Sequence, residues 1–262
     1  MKPQWIFALP PSVGDSMQRA QAIRSMLGAV GCGSVRTALT YSALMTDLLD
    51  GNVDVAWAPP LVCARVEPLG GRVMLRAVRG GSNSYRAALF TRGADAPGMV
   101  GIKGLRAAWL DQRSMSGYVL PRSVLREHGW NPDTCFSRQK FLGSYQACVE
   151  AVLNGKVDVS STYATGANAN PQRVGWMSLA GGRVGELTPL AYSEECPNDG
   201  VILSPAVSAA DAAALTAAFQ TLVSDQATCR RLAAALDVDG FDVPPPGTYA
   251  RLKEDAEHAP LE

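Results

Sequence analysis

Leu48–Trp57 reads LLDGNVDVAW, and Val152–Ser161 reads VLNGKVDVSS. Both follow one plan: the end of a helix, a glycine, one further residue, then Val-Asp-Val. Gly51 and Gly155 suit the residue just past a helix, where a left-handed backbone costs glycine least. Each Val-Asp-Val opens an apolar run of the kind buried in a parallel sheet. The same helix-to-strand unit thus occurs once in each half of the chain, which predicts two similar α/β lobes rather than one large sheet. Asp54 and Asp158 occupy matching places in the two copies. They are expected to bond nearby backbone, as Asp does beside turns, and not to act as catalytic carboxylates.

Working outward, strands and helices alternate, which argues for an α/β fold with mainly parallel sheets. WIFAL at 5–9 is a predicted strand, and Asp15 or Ser16 is positioned to cap a helix that Gly31 ends. Strands are expected at 34–40, 53–59, 72–79 and 84–92, with a short helix over 41–50. A second series begins near Gly104, with strands at 105–111, 138–143 and 156–163 and helices at 117–128 and 145–154. Ala-rich helices are expected at 209–223 and 226–236, and a tail helix follows the PPPG turn from about Thr248.

The 262 residues are enough for two lobes of ordinary size. Hydrophobic residues make up 47% and charged residues 18%, as in a soluble globular protein. Lys+Arg and Asp+Glu both number 24, so charge gives no case for nucleic acid or an anionic membrane as partner. No apolar run is long enough to insert in a bilayer. The six cysteines are scattered without a CxxC pair and with no histidine at ligand spacing, so no metal site is expected. They read as small buried hydrophobes in a reducing compartment. His128, one of two histidines, falls in the last turn of a predicted helix and is expected to face its dipole. MKPQWIFALPPSVGD lacks the long apolar core and cleavage site of a secretory leader. The chain as it stands is therefore expected in the cytoplasm, with the periplasm as the alternative if a leader has been removed.

One stretch is richer in polar and special residues than a strand or helix core requires: DQRSMSG at 111–117. In open α/β sheets, ligands bind beyond the carboxyl ends of the strands, and this stretch joins such an end to a helix. The first amides of a helix lack internal partners and suit an anion. Ser114 and Ser116 add hydroxyls, Gly117 admits close approach, and Pro121 removes an amide that would bond the Gly117 carbonyl. The first turn should be irregular. The stretch reads either as a ligand-binding turn or as an ordinary serine cap.

DQRSMSGYVLPRSVLREHGWNP (111–132) resembles the Ser-Thr-Ser-Gly-Tyr…Pro…Leu…Gly segment of the substrate-binding proteins of phosphate/phosphite/phosphonate ABC transporters. YSALMTDLLDGNVDVAWAPP (41–60), SYRAALFTR (84–92), LGSYQACVEAVLNGKVDV (142–159) and ECPNDGVILSP (195–205) resemble further segments of that family, in order. The resemblance implies a type II periplasmic-binding-protein fold: two α/β lobes, a two-strand hinge and a ligand cleft. It places residues 1–83 and 193–262 in one lobe and 84–192 in the other. It implies that Tyr41 and Tyr85 line an anion pocket, that Ser114 and Ser116 bind a phosphonate, and that Asp199 matches an aspartate facing the amine of aminophosphonates. Met115 and Gly117 complete the turn, and Trp57 is expected as an apolar wall. Two departures are visible: Met115 replaces the family's Thr, and Tyr145 replaces its His. The pocket loses a hydroxyl and a potentially cationic donor; Arg86 and Arg113 lie near enough in sequence to compensate.

The function expected is non-catalytic binding of a small anion, phosphonate- or phosphate-like, with no cofactor. A cytoplasmic receptor or sensor module, read in its closed state by another protein, fits the missing leader. The alternatives are an enzyme on the same scaffold (a lyase or a cofactor-biosynthesis enzyme), for which a reactive Cys63 or Cys148 would argue, and a protein-interaction module that has lost its ligand.

Overall fold

The computed structural model describes residues 4–11, 16–93, 97–165 and 175–259. The chain divides into two units, Met1–Asn83 with Pro197–Glu262, and Ser84–Cys196. The second unit runs on to Cys196, where the sequence reading ended that lobe at Tyr192.

The first unit opens with β1 (Trp5–Leu9), α1 (Ser16–Leu27), β2 (Cys32–Thr37), α2 (Tyr41–Leu49), β3 (Val55–Ala58), α3 (Pro60–Val66) and β4 (Arg72–Val78). The second unit contributes β5 (Ser84–Arg92), β6 (Arg106–Trp109), α4 (Leu120–Glu127), β7 (Arg138–Phe141), α5 (Tyr145–Leu153), β8 (Val159–Ala164), α6 (Trp176–Leu179) and β9 (Leu187–Tyr192). A short β10 (Cys196–Pro197) follows. The chain then rejoins the first unit as β11 (Gly200–Leu203), α7 (Ala209–Ser224), α8 (Gln226–Leu236), β12 (Gly240–Asp242) and α9 (Lys253–His258). The expected Asp15 cap of α1 lies outside the described residues.

Both sheets are mixed, which corrects the expectation of mainly parallel sheets. The first runs β12-β4-β11-β3-β1-β2 and the second β10-β5-β8-β6-β7, with β9 also on β5. The pairs β1–β2, β1–β3, β6–β7 and β6–β8 are parallel. The strands β5, β9, β11 and β12 pair antiparallel with their neighbours. The local helix–strand units make the parallel pairs. The returning strands, whose direction no local pattern encodes, make the antiparallel ones.

The repeated motif has the same job twice. Asp54 Oδ2 accepts the Ile6 amide at 2.8 Å, and the Asp54 amide donates to the Ile6 carbonyl. Asp158 Oδ2 accepts the Arg106 amide at 2.8 Å, and its own amide donates to the Arg106 carbonyl. Each aspartate therefore pins the start of one strand to its parallel neighbour. Arg106 adds a side-chain ion pair to Asp158, for which the first copy has no counterpart at Ile6. Gly51 and Gly155 have φ of 72° and 65°, as the helix-end reading requires.

The first unit's core packs Trp5, Phe7, Ile23, Leu27, Leu75, Phe219 and Leu236 between its sheet and helices. The second unit's sheet is apolar on both faces. Val149, Val152 and Trp176 pack with Phe90 on one side, and Val124, Leu125 and Phe136 with Leu89 and Trp109 on the other. Among the described residues no helix is long and apolar enough to cross a membrane.

Candidate ligand-binding turn

After β6 the chain turns at Asp111, whose Oδ1 accepts the Arg113 amide at 2.9 Å and whose carbonyl accepts the Ser114 amide at 3.0 Å. Ser114 is extended and its Oγ accepts the Gly117 amide at 3.1 Å. Its carbonyl accepts both the Tyr118 and the Val119 amides at 3.0 Å. Residues Met115–Val119 form a single π turn before α4 begins. Pro121 supplies the reason. It has no amide to return to the Gly117 carbonyl, so the turn widens, and that carbonyl accepts the Leu110 amide at 3.4 Å instead. A side chain at Gly117 would bring its Cβ within 2.6 Å of Leu110 Cβ and 2.7 Å of Ser114 Oγ. Glycine is required here for close approach.

The π turn leaves donors over. No acceptor for the amides of Met115 and Ser116 is found among the described residues. Ser116 is buried, and its Oγ lies 2.7 Å from the Tyr145 hydroxyl. Ser114 Oγ lies 3.3 Å from the same hydroxyl. Tyr145 is the first residue of α5, a helix capped by Ser144, whose Oγ accepts the Ala147 amide. The Tyr145 and Tyr163 rings meet edge-on, 5.6 Å apart at 76°. Burial raises the Tyr145 pKa more than the two serine contacts lower it, so the phenol is neutral. Three hydroxyls carry three hydrogens. The two contacts among them use two, leaving one hydroxyl hydrogen over in addition to the two amides. Among the described residues no cation bonds these hydroxyls.

The two arginines expected to compensate are already paired. Arg113 Nε donates to Asp111 at 3.1 Å, and Arg86 donates to the Ser193 carbonyl at 2.8 Å and to Glu195 at 3.3 Å. Burial and the Arg113 contact act on Asp111 in opposite senses; the Arg113 hydrogen bond, the larger, holds its pKa below the usual carboxylate value.

The structure brings Ser114, Ser116, Gly117 and Tyr145 together. Met115 is buried. Tyr85 is the second residue of β5. In the first unit, Tyr41 opens α2 beside its Thr40 cap. Trp57 is 4% exposed, belongs to the core and meets the Phe241 ring at 6.3 Å. The indole expected as an apolar wall is thus a packing residue. Asp199 precedes β11, and its Oδ2 is 2.6 Å from Arg79 Nη1. Sequence reasoning missed Arg79. Its only local mark is the Gly-Gly turn that follows it. His128 ends α4 as expected, its Nδ1 at 2.8 Å from the Val124 carbonyl. Cys63 and Cys148 are fully buried, and burial is the main cause that raises the Cys148 pKa, so neither is an exposed thiolate.

A protein-family profile described as "ABC transporter, phosphonate, periplasmic substrate-binding protein" matches residues 25–249. No curated protein matches the chain. Among solved structures, a Xanthomonas citri protein, determined bound to chloride and to ATP, is similar at TM-score 0.72 and 18% identity over 97% of this chain and 96% of that one. PhnD1 from Prochlorococcus marinus, in complex with methylphosphonate, is similar at TM-score 0.65 and 14% identity, with 97% of each chain covered. A binding-protein component of an ABC phosphonate transporter from Pseudomonas aeruginosa is similar at TM-score 0.63 and 17% identity over 97% of this chain and 85% of that one. At these identities the likeness is one of fold. The matched family is described as periplasmic, which gives no support to the cytoplasmic placement expected from the N-terminus.

Proposed function

Because the chain belongs to the periplasmic substrate-binding proteins of phosphonate ABC transporters, we propose that it is a non-catalytic receptor whose Ser114–Gly117 turn and Tyr145 hold the oxygens of a small phosphonate-like anion. The observation that carries this reading is the cluster of neutral donors: two amides at the π turn for which no acceptor is found among the described residues, beside two serine hydroxyls that share the Tyr145 hydroxyl. Hydrogen bonds from neutral donors to a charged acceptor are each worth about 1.5–3 kcal/mol, so a few suffice for a transportable ligand. Tyr85, on β5 of the same unit, is a further proposed contact. A solved neighbour, PhnD1 from Prochlorococcus marinus, holds methylphosphonate, and this is the first ligand to try. The buried thiols favour binding over thiol-based catalysis.

The test is calorimetric titration of methylphosphonate, phosphite, phosphate, sulfate and acetate. Saturable binding of a phosphonate-like oxoanion without its turnover supports the reading; absence of binding across the series defeats it. The partner follows from the compartment. In the periplasm it is the membrane part of an ABC transporter; in the cytoplasm it is a protein that reads the liganded state. Cell fractionation decides between them.

A further inference from the structure

β8 lies between β5 and β6 and carries three consecutive hydroxyl residues, Ser160, Ser161 and Thr162, all fully buried. Ser160 Oγ donates to the Ala108 carbonyl at 2.6 Å, and Thr162 Oγ1 to the Tyr163 carbonyl at 3.3 Å. Ser161 Oγ is the one buried side-chain nitrogen or oxygen among the described residues that no protein group bonds. A buried hydroxyl left unpaired is costly, so a partner is expected. The register places it. Ser161 stands opposite Leu89 on β5. Val159 stands beside Ala107 on β6, so two residues further along both strands Trp109 flanks Ser161. Leu89, Trp109 and Val159 belong to the core that packs with Val124 and Leu125 of α4. Ser161 therefore points to the sheet face that α4 covers, where the π turn leading into α4 packs against β8. The Trp109 indole is no partner there, since its Nε1 donates to Gln139.

The π turn has an unmatched group of its own. Its bonds run five residues back, from the Val119 amide to the Ser114 carbonyl and from the Leu120 amide to the Met115 carbonyl. The next bond of that ladder would bring the amide of residue 121 to the Ser116 carbonyl, and Pro121 has no amide. The Ser116–Gly117 peptide is held at its other end, where the Gly117 amide meets Ser114 Oγ at 3.1 Å. Resting on the receptor reading above, we propose that an internal water is bound between β8 and the π turn, accepting from the Ser161 hydroxyl and donating to the Ser116 carbonyl, which makes Ser161 a positioning residue for the anion site. Ser161 is 0% exposed, so an anion cannot reach it, whereas a buried water with two or more polar partners is an ordinary component of a protein interior. The water holds the second end of the Ser116–Gly117 peptide. Fixing that plane fixes ψ at Ser116 and steadies the residue whose amide and hydroxyl the proposed site uses.

Crystal structures of the wild-type chain and of Ser161→Ala, with amide hydrogen exchange and methylphosphonate titration of both in solution, test this. The wild type should show density for one water within hydrogen-bond reach of Ser161 Oγ and of the Ser116 carbonyl. Ser161→Ala should lose that water and exchange its Gly117 amide about two- to tenfold faster, the effect of one neutral hydrogen bond. Its Kd for methylphosphonate should weaken by about the same two- to tenfold factor. Exchange in β1 and α1 of the first unit should stay as in the wild type. Absence of the water from the wild type, or wild-type exchange at Gly117 in Ser161→Ala, overturns the proposal. A more stable Ser161→Ala with unchanged Kd also overturns it, because the hydroxyl is then only tolerated. Should Ser161→Ala fail to fold, Ser161→Cys, a weak donor, replaces it in each measurement. If the wild type binds no anion, the receptor reading fails, and the density and the Gly117 exchange still decide the water.

Discussion

Replacing Ser116 with alanine removes one hydroxyl from the cluster at the π turn. Its effect differs from that of replacing Ser114. In the ligand-free chain the Ser116 hydroxyl bonds the neutral Tyr145 phenol at 2.7 Å, a contact worth about 0.5–1.5 kcal/mol. With an anion bound, the same hydroxyl would serve a charged acceptor, worth about 1.5–3 kcal/mol. Binding exchanges one bond for the other, so the net loss in Ser116→Ala is the difference, about 1–1.5 kcal/mol, or roughly a five- to thirteen-fold weaker Kd. Stability should fall by about 1 kcal/mol, because Tyr145 keeps its 3.3 Å contact with Ser114. Ser114 has a structural duty that Ser116 lacks: its Oγ accepts the Gly117 amide. Ser114→Ala should therefore lower stability by about 0.5–2 kcal/mol, as loss of a helix cap does, in addition to its effect on binding. The assay is titration of methylphosphonate into each folded variant, paired with denaturant melts. If Ser116→Ala lowers the melt but leaves Kd unchanged, the hydroxyls only cap and pack, and the donor cluster is no binding site.

Gly117→Ala should disrupt the turn more than either serine change, because the new methyl overlaps Leu110 and Ser114; the result to look for is a lowered melt together with lost anion binding, without recovery at high ligand. Asp54→Ala strips the acceptor from the Ile6 amide and should cost about 1–3 kcal/mol in a urea melt, as an orphaned backbone donor does. Asp158 is held below the ordinary carboxylate pKa, chiefly by its hydrogen bond from Arg106. Its contribution is therefore present above the unfolded pKa of about 3.9 and disappears as pH falls through the depressed folded value. Asp158→Ala should accordingly flatten the acid end of the stability–pH curve while leaving the slope above pH 6 unchanged. Of the six thiols only Cys229 is partly exposed. Burial pushes the Cys32 pKa up to about 11, so a disulfide-exchange reagent should modify one cysteine in the native chain and the rest only on unfolding.

The helix–strand units were legible because their signals are local. SYRAALFTR occupies β5 from end to end, and Gln226–Leu236 matches α8. Both copies of the repeated motif deliver a glycine at positive φ and an aspartate that bonds the neighbouring strand. Strand direction was not legible. β9 and β12 carry no recognisable alternation over their short lengths, and they are held in place by β5 and β4. α3 was also missed: no element was expected between 59 and 72, although proline is well tolerated in the first turn of a helix, where Pro60 stands.

The same division between local and distant chemistry explains the site. The irregular turn was predictable because its cause, Pro121 facing the Gly117 carbonyl four residues back, lies within one turn of chain. That Ser114 is both a cap and a hydroxyl in the cluster was half visible, since a cap needs only the amide three residues on, whereas the cluster needs Tyr145 from another helix. Trp57 was read as a wall because an aromatic residue at a strand end is often exposed to a ligand. It is a core residue because β12, a strand the sequence does not announce, sets Phe241 against it. The partner of Asp199 was not legible for the same reason: its cation, Arg79, comes from the far side of the chain's excursion through the second unit. Local sequence supplies the groups at a site, and distant pairing decides which of them remain available to a ligand. A carboxylate's electrostatic role therefore cannot be assigned until its nearest cation is known. Arg79 and Asp199, 2.6 Å apart, are the two halves of one internal pair.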